Sequence, residues 1–129
     1  MAAKIIFFIF FILFSTKSFS DDLFKIYQKD NYVAEIKILD KITSRLEVKK
    51  FKLKSVARYK DFEFFIDRCV VDTRKGFREV LALVQIKDFK NKSKDTVFLF
   101  NGWMFKTNPA LNEFEHPNYD IWLNDCYKG

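Results

Sequence analysis

The chain has 129 residues, with 23 Lys plus Arg against 17 Asp plus Glu, one His, two Cys, three Gly, two Pro and 19% aromatic side chains. That length holds one domain and excludes two-domain enzymes. One histidine and three glycines also exclude a dinucleotide fingerprint, a phosphate-cradling glycine loop and a multi-histidine metal site. The residues therefore assign no catalytic group, no metal and no cofactor.

Ile5 to Phe14 (IIFFIFFILF) form an uninterrupted apolar run behind Lys4, followed by the small polar stretch Ser15 to Ser20. This order of basic, apolar and small residues is that of a secretory signal peptide, with Ser18 and Ser20 flanking a cleavage point before Asp21. An uncleaved anchor fits less well, because 10 apolar residues cover roughly 15 Å of a bilayer core of about 30 Å. The expected location is periplasmic or secreted. Loss of Lys4 and Lys17 leaves 21 basic against 17 acidic side chains, a net charge of +4. Such a modest surplus is no nucleic-acid signature. Cys69 and Cys126 have one intramolecular pairing open to them, and in an oxidising compartment they are expected to form a disulfide. They lack the C-x-x-C spacing of a redox-active pair.

Along the mature chain, residues 21–31 (DDLFKIYQKDN) are mixed and polar, as a tether would be, and the β-domain is expected over 32–129. Ala34, Ile36 and Ile38 alternate with Glu35 and Lys37, and Leu46 and Val48 alternate with Arg45, Glu47 and Lys49, so both stretches predict half-buried strands. Phe51 and Leu53 have the opposite phase to Leu46 and Val48, which predicts a bulge or turn at Lys49-Lys50. Phe62, Phe64 and Ile66 continue the alternation ahead of Cys69. Val80 to Ile86 (VLALVQI) is nearly continuous apolar and predicts a central strand covered on both faces, with a short helix from Phe77 to Lys87 left open by periodicity alone. Asp88 to Asp95 predicts a solvated loop. A strand follows from Thr96 to Phe100, with Gly102 marking a bulge or a close backbone approach. Tyr119 to Tyr127 predicts a last strand with Tyr119, Ile121 and Leu123 on one face and Asp120, Trp122, Asn124 and Cys126 on the other. Six or seven short strands without alternating helices predict an all-β fold, a small antiparallel sandwich or barrel.

Between the last two strands, Asn108 followed by Pro109 predicts an N-cap and a single helical turn over Pro109 to Phe114, ended before Pro117. The surrounding run G-W-M-F-x-x-x-P-A-L-x-x-x-E-H-P-x-Y-D-x-W-x-x-D-C, from Gly102 to Cys126, resembles the signature of a family of small exported bacterial proteins, domain of unknown function 2155. Leu39-Asp-Lys-Ile-Thr-x-Arg45 and the cysteine closing a strand at Cys69 are similar to that family too, and the resemblance covers roughly residues 34 to 126. It implies an exported domain without an assigned activity or catalytic residues.

Two groups of side chains are candidates for binding. Trp103, Met104, Phe105, Glu113, Glu115, His116, Tyr119 and Trp122 crowd around the C-terminal loop, and aromatic residues beside acidic ones suit an anchor for another protein. Trp103 and Met104 must point to opposite faces, so only one of them can be exposed. The acidic residues with His116 lack the spacing of a zinc or calcium site. A hydrolase built on Glu115 or His116, or on Glu113 paired with Glu115, is the weakest reading, because hydrogen bonds around Pro117 and ion pairs across the sheet also account for these side chains. Lys50, Lys52 and Lys54, with Arg58 and Lys60 close behind, form the densest basic stretch. It suits either a solvated edge that resists aggregation or contact with an anionic lipid headgroup or cell-wall polymer. The leading expectation is a non-enzymatic envelope accessory domain acting through protein contact.

Overall fold

Period-two alternation buries one face of most of the strands, and this computed structural model, which describes residues 23–90 and 97–129, has eight strands in those residues. They are β1 (Phe24–Tyr27), β2 (Tyr32–Asp40), β3 (Arg45–Lys52), β4 (Val56–Tyr59), β5 (Phe62–Asp72), β6 (Glu79–Asp88), β7 (Phe98–Phe105) and β8 (Tyr119–Lys128). A 3-10 turn, Pro109–Leu111, lies between the last two. The signal peptide expected over residues 1–20 lies outside the described residues. Strands β3, β2 and β8 make a three-stranded sheet, and β1, β5, β6 and β7 make a second, in which β4 also pairs with β5. Every pairing is antiparallel. Ile36, Ile38 and Leu123 from the first sheet close on Phe62, Phe64, Ile66, Val80, Val84 and Ile86 from the second, all at most 2% exposed. Each such side chain contributes roughly 1.5–3 kcal/mol through burial. The fold is an antiparallel sandwich.

Strand β6 resolves the ambiguity of residues 80–86 in favour of a strand. Val80, Ala82, Val84 and Ile86 are fully buried, while Leu81, Leu83 and Gln85 are half-buried on the outer side.

Two bulges place the cysteines. In β5 the register with β6 shifts between Ile66 and Arg68, so Asp67 is the extra residue, and in β8 the register with β2 passes from Leu123 to Asp125, so Asn124 is extra. Each bulge reverses the phase of the strand beyond it. Cys69 and Cys126, each two residues past a bulge, therefore turn inward with the upstream core residues and are fully buried. This corrects the uniform alternation expected for β8, which puts Cys126 on the face opposite Ile121 and Leu123. The Cys69–Cys126 disulfide joins one sheet to the other, with Cα atoms 6.4 Å apart and a sequence separation of 57. In the chain-entropy model a loop of that length stabilises the fold by about 4 kcal/mol.

Other local expectations are revised. No bulge breaks β3, which pairs continuously with β2 from Arg45 to Lys52. Leu46 and Val48 instead occupy the outer face and are 50% and 46% exposed, while Phe51 and Leu53 turn inward. The tether expected over residues 21–31 contains β1, four residues without burial alternation that pair with Cys69–Asp72 of β5. Backbone pairing and the stack of Tyr27 on Tyr32, 4.3 Å between centroids, hold it. Strand β4 is likewise too short to announce itself by periodicity. The helical turn spans Pro109–Leu111 rather than Pro109 to Phe114, and the Asn108 side chain makes no capping hydrogen bond.

Candidate functional site

The loop from Lys106 to Asn118 crosses between the two sheets and is tied down along its length. At its start the Lys106 amide donates to the Val80 carbonyl, and the Thr107 amide and hydroxyl both donate to the Glu79 carboxylate. In the middle the Asn112 side-chain amide donates to the Trp103 carbonyl on the free edge of β7. Gly102 makes the approach feasible, since a Cβ there would stand 2.8 Å from Asn112 Nδ2. Phe114 then turns into the core at 5% exposure and meets Phe62 edge-on at 5.8 Å.

His116 belongs to this aromatic cluster. Its ring stacks on Phe114 at 5.8 Å and meets Phe62 at 5.4 Å and Tyr119 at 5.5 Å. Its Nδ1 accepts from the Asn118 amide, which leaves the proton of the neutral ring on Nε2. Lys41, at the end of β2, donates to the His116 carbonyl at 2.8 Å and lies 3.4 Å from the Asp120 carboxylate. Packing and hydrogen bonding thus employ His116 in holding the loop.

Two adjoining clefts open beside this loop and share Glu113, Phe114 and Asp120. The first, about 270 Å³, runs along β8 between Pro109 and Trp122. The second, about 430 Å³, is bounded by Lys41, Glu115, His116 and Pro117. Glu113 and Glu115 are exposed at the rim. The walls therefore offer carboxylates and one indole to an incoming group, a combination that favours cationic and apolar contacts. Among the described residues, no group of three or more His, Cys, Asp and Glu is arranged to hold a metal ion.

Beneath the loop, Asp125 pairs with Arg78 at 2.8 Å and with Lys106 at 3.8 Å, and Arg78 also donates to the Cys126 carbonyl. Burial works to raise the Asp125 pKa. The Arg78 guanidinium, the Cys126 amide and Lys106 outweigh it and hold the carboxyl below its ordinary range.

The sequence-predicted partner residues are only partly brought together. Glu113, Glu115, His116, Tyr119 and Trp122 gather at the loop. Met104 is buried at 2% exposure, and Trp103 and Phe105 lie on the outer face of the five-stranded sheet, opposite Leu83 and Leu81. Trp122 pairs with Lys37 on the outer side of the other sheet, so the two tryptophans belong to opposite faces of the sandwich. Lys41, Pro109, Asn112 and Phe114 complete the site. Pro109 has a signal in the predicted turn, whereas the meeting of Lys41 with His116, 75 residues away, leaves none.

The basic stretch does not stay on one surface. Lys50 and Lys52 share the outer face of β3. Lys54 takes a left-handed conformation, φ 63°, just past the strand and pairs with Asp67. Arg58 pairs with Glu63, and Lys60, φ 53°, lies over the rings of Tyr59 and Tyr119.

Residues 34–126 match the family described as uncharacterized protein conserved in bacteria (DUF2155). The chain belongs to this family. DUF2155 thus covers the sandwich from the core of β2 to the second cysteine, including both bulges and the loop clefts. The chain is also similar to the uncharacterized protein RP359 of Rickettsia prowazekii (strain Madrid E), 30% identical over 109 residues, 78% of this chain and 70% of that protein. No solved structure matches it.

Proposed function

We propose that this DUF2155 protein is an exported, non-enzymatic interaction domain of the bacterial cell envelope, and that a protein partner docks in the clefts beside the 106–118 loop. The observation that carries the reading is the preformed wall of Glu113, Asp120 and Trp122, set on a loop already held by Glu79, Asn112 and Phe114. A rigid aromatic anchor beside charged groups is the composition of an interface hot spot, and pre-ordering lowers the entropy cost of association. Export is supported by the basic, apolar and small-residue order of residues 4–20 and by the pairing of both cysteines.

Crosslinked affinity purification of the tagged protein from its native envelope tests the reading. The parent and a Trp103→Ala control recover the same stoichiometric protein partner, and Trp122→Ala and Glu113→Gln lose it at least about tenfold, the effect of about 1.4 kcal/mol at a hot spot. Unchanged melting temperatures in the two cleft variants separate lost recognition from lost folding. Recovery of the partner at parental levels by both cleft variants overturns the proposal.

A further inference from the structure

Three strands longer than four residues end a sheet, β3, β7 and β8, and their free edges differ. On β7 the Trp103 carbonyl accepts from the Asn112 side chain. On β8 the Cys126 carbonyl accepts from Arg78, and the Cys126 amide donates to the Asp125 carboxylate. Strand β3 lacks such closure. In an antiparallel ladder successive residues turn their amide and carbonyl alternately to one side and the other. The Leu53 amide donates to the Tyr32 carbonyl, one step past the pair of Lys52 with Val33. Phe51, Lys49, Glu47 and Arg45 therefore bond to β2, while Leu46, Val48, Lys50 and Lys52 turn their backbone groups to the free edge. The Lys52 carbonyl accepts from the Ser55 hydroxyl, and no strand of the described residues pairs with the rest. The side chains of the same four residues stand exposed on the outer face.

Sheets commonly close such an edge with a bulge, a proline or a covering segment. Strand β3 has neither proline nor bulge and pairs with β2 without a break. Its guard is charge, which discriminates by sign. Arg45, Lys49, Lys50 and Lys52 stand against one carboxylate of the strand, Glu47, and none of the four forms an ion pair among the described residues. The acidic groups opposite them on β2 are engaged elsewhere. Glu35 accepts from Asn124 and Tyr127, and Asp40 from the Ile42 and Thr43 amides. Lys49 and Lys50 lie over the rings of Tyr59 and Tyr127, at 4.8 and 5.7 Å from the centroids, with no carboxylate bound. A second copy of β3 would bring a second set of four cations to the seam, whereas an acidic strand would complement them.

We infer that the free edge of β3 accepts an extended acidic segment of another protein as an added antiparallel strand. Backbone hydrogen bonds to Leu46, Val48, Lys50 and Lys52 hold it, and directly opposed residues share a face. Its apolar side chains thus lie beside Leu46 and Val48, and its carboxylates beside Lys50 and Lys52. The inference is independent of the cleft, which opens beside β8 at the other margin of this sheet.

The probe is the synthetic peptide Thr-Glu-Thr-Glu-Thr-Val-Thr-Val-Thr, which in antiparallel register sets its glutamates against Lys52 and Lys50 and its valines against Val48 and Leu46. A control peptide carries lysine in place of each glutamate. Amide hydrogen exchange is followed by NMR on the protein purified from the full chain with its disulfide formed. The acidic peptide slows exchange at Leu46, Val48, Lys50 and Lys52, and the lysine peptide binds at least about tenfold more weakly. Val48→Pro removes an amide that β2 does not use, at an edge position that tolerates proline, and weakens the acidic peptide about tenfold while circular dichroism stays unchanged. Lys50→Glu with Lys52→Glu, which leaves the backbone edge intact, reverses the preference between the peptides and keeps the test decisive if the proline variant misfolds. Exchange unchanged at the four amides, equal binding of both peptides, or a preference that survives the charge reversal overturns the inference. Binding that a folded Val48→Pro protein retains in full overturns it too, by assigning the cations to an anionic polymer without strand addition. So does protection of the four amides that rises with protein concentration alone, by assigning the edge to a second copy of the chain.

Discussion

Gly102 sits on the β7 edge that no strand of the described residues covers, and its missing side chain is what lets Asn112 reach the Trp103 carbonyl. An edge carbonyl without a ladder partner needs a donor, and here the loop supplies it from a side chain. Gly102→Ala forces the Asn112 amide aside and is expected to cost about 0.5–1.5 kcal/mol, the net worth of one hydrogen bond. Asn112→Ala removes the same bond from the other side, so the double variant costs less than the two single costs together. Urea unfolding of the four proteins measures this, and strictly additive costs would show that the contact does not hold the loop. At this scale the sequence reading marks Gly102 for a bulge or a close backbone approach, and what forms there is the approach of the Asn112 side chain. That reading does not identify Asn112, because the nine intervening residues bring no periodic signal to the pair.

At the scale of the strand, the two bulges decide more than any single side chain. Asn124 is held in place by donating to Glu35, which also accepts from the Tyr127 hydroxyl. Deleting Asn124 leaves Leu123, Asp125 and Cys126 in the regular order inward, outward, inward. The deletion variant is therefore expected to fold with its disulfide formed. Deleting Trp122, in the regular part of β8, exposes Leu123 or buries a polar neighbour, and is expected to cost about 3 kcal/mol or more. Mass spectrometry without reductant, combined with thermal melting, distinguishes the two; equal damage from both deletions would refute the phase argument. Periodicity reads β5 and β8 correctly up to each bulge. The phase change between the halves escapes it, because a bulge is a property of the register with a neighbouring strand and carries no composition of its own. The short strands β1 and β4 escape for a related reason, being held by pairing to β5 rather than by an alternating pattern.

Across the whole molecule, several aspartate carboxyls are held below their ordinary range by ion pairs and backbone amides. Asp72, bound first by the Arg74 side chain and then by its amide, falls to about 2. Asp67 is lowered chiefly by Lys54, with Arg68 adding to it, and Asp40 chiefly by the Thr43 amide. A carboxyl with a folded-state pKa below its unfolded value of 3.8 binds more protons when unfolded. Its contribution to stability is fully present above the unfolded value and is lost as pH falls toward the folded one. The urea midpoint is expected to decline as pH falls from about 4 toward 2, and Asp72→Asn to flatten that decline. A midpoint that rises on acidification would mean that these pairs are not formed in solution.

The all-β antiparallel class, the single possible cysteine pair and the turn at Pro109 are determined by the sequence alone, because alternation, pairing arithmetic and a fixed proline φ act over a few residues or need no geometry, whereas the choice of a two-sheet sandwich over a barrel is made by strand pairing. Tertiary structure alone decides that Trp103 and Trp122 occupy opposite faces, that Lys54 and Lys60 leave the face of Lys50 and Lys52, and that His116 is enclosed by Phe62, Phe114 and Tyr119. Each outcome depends on which strands become neighbours and where a register slips. Those choices are made by long-range pairing, which a period of two along one strand does not encode.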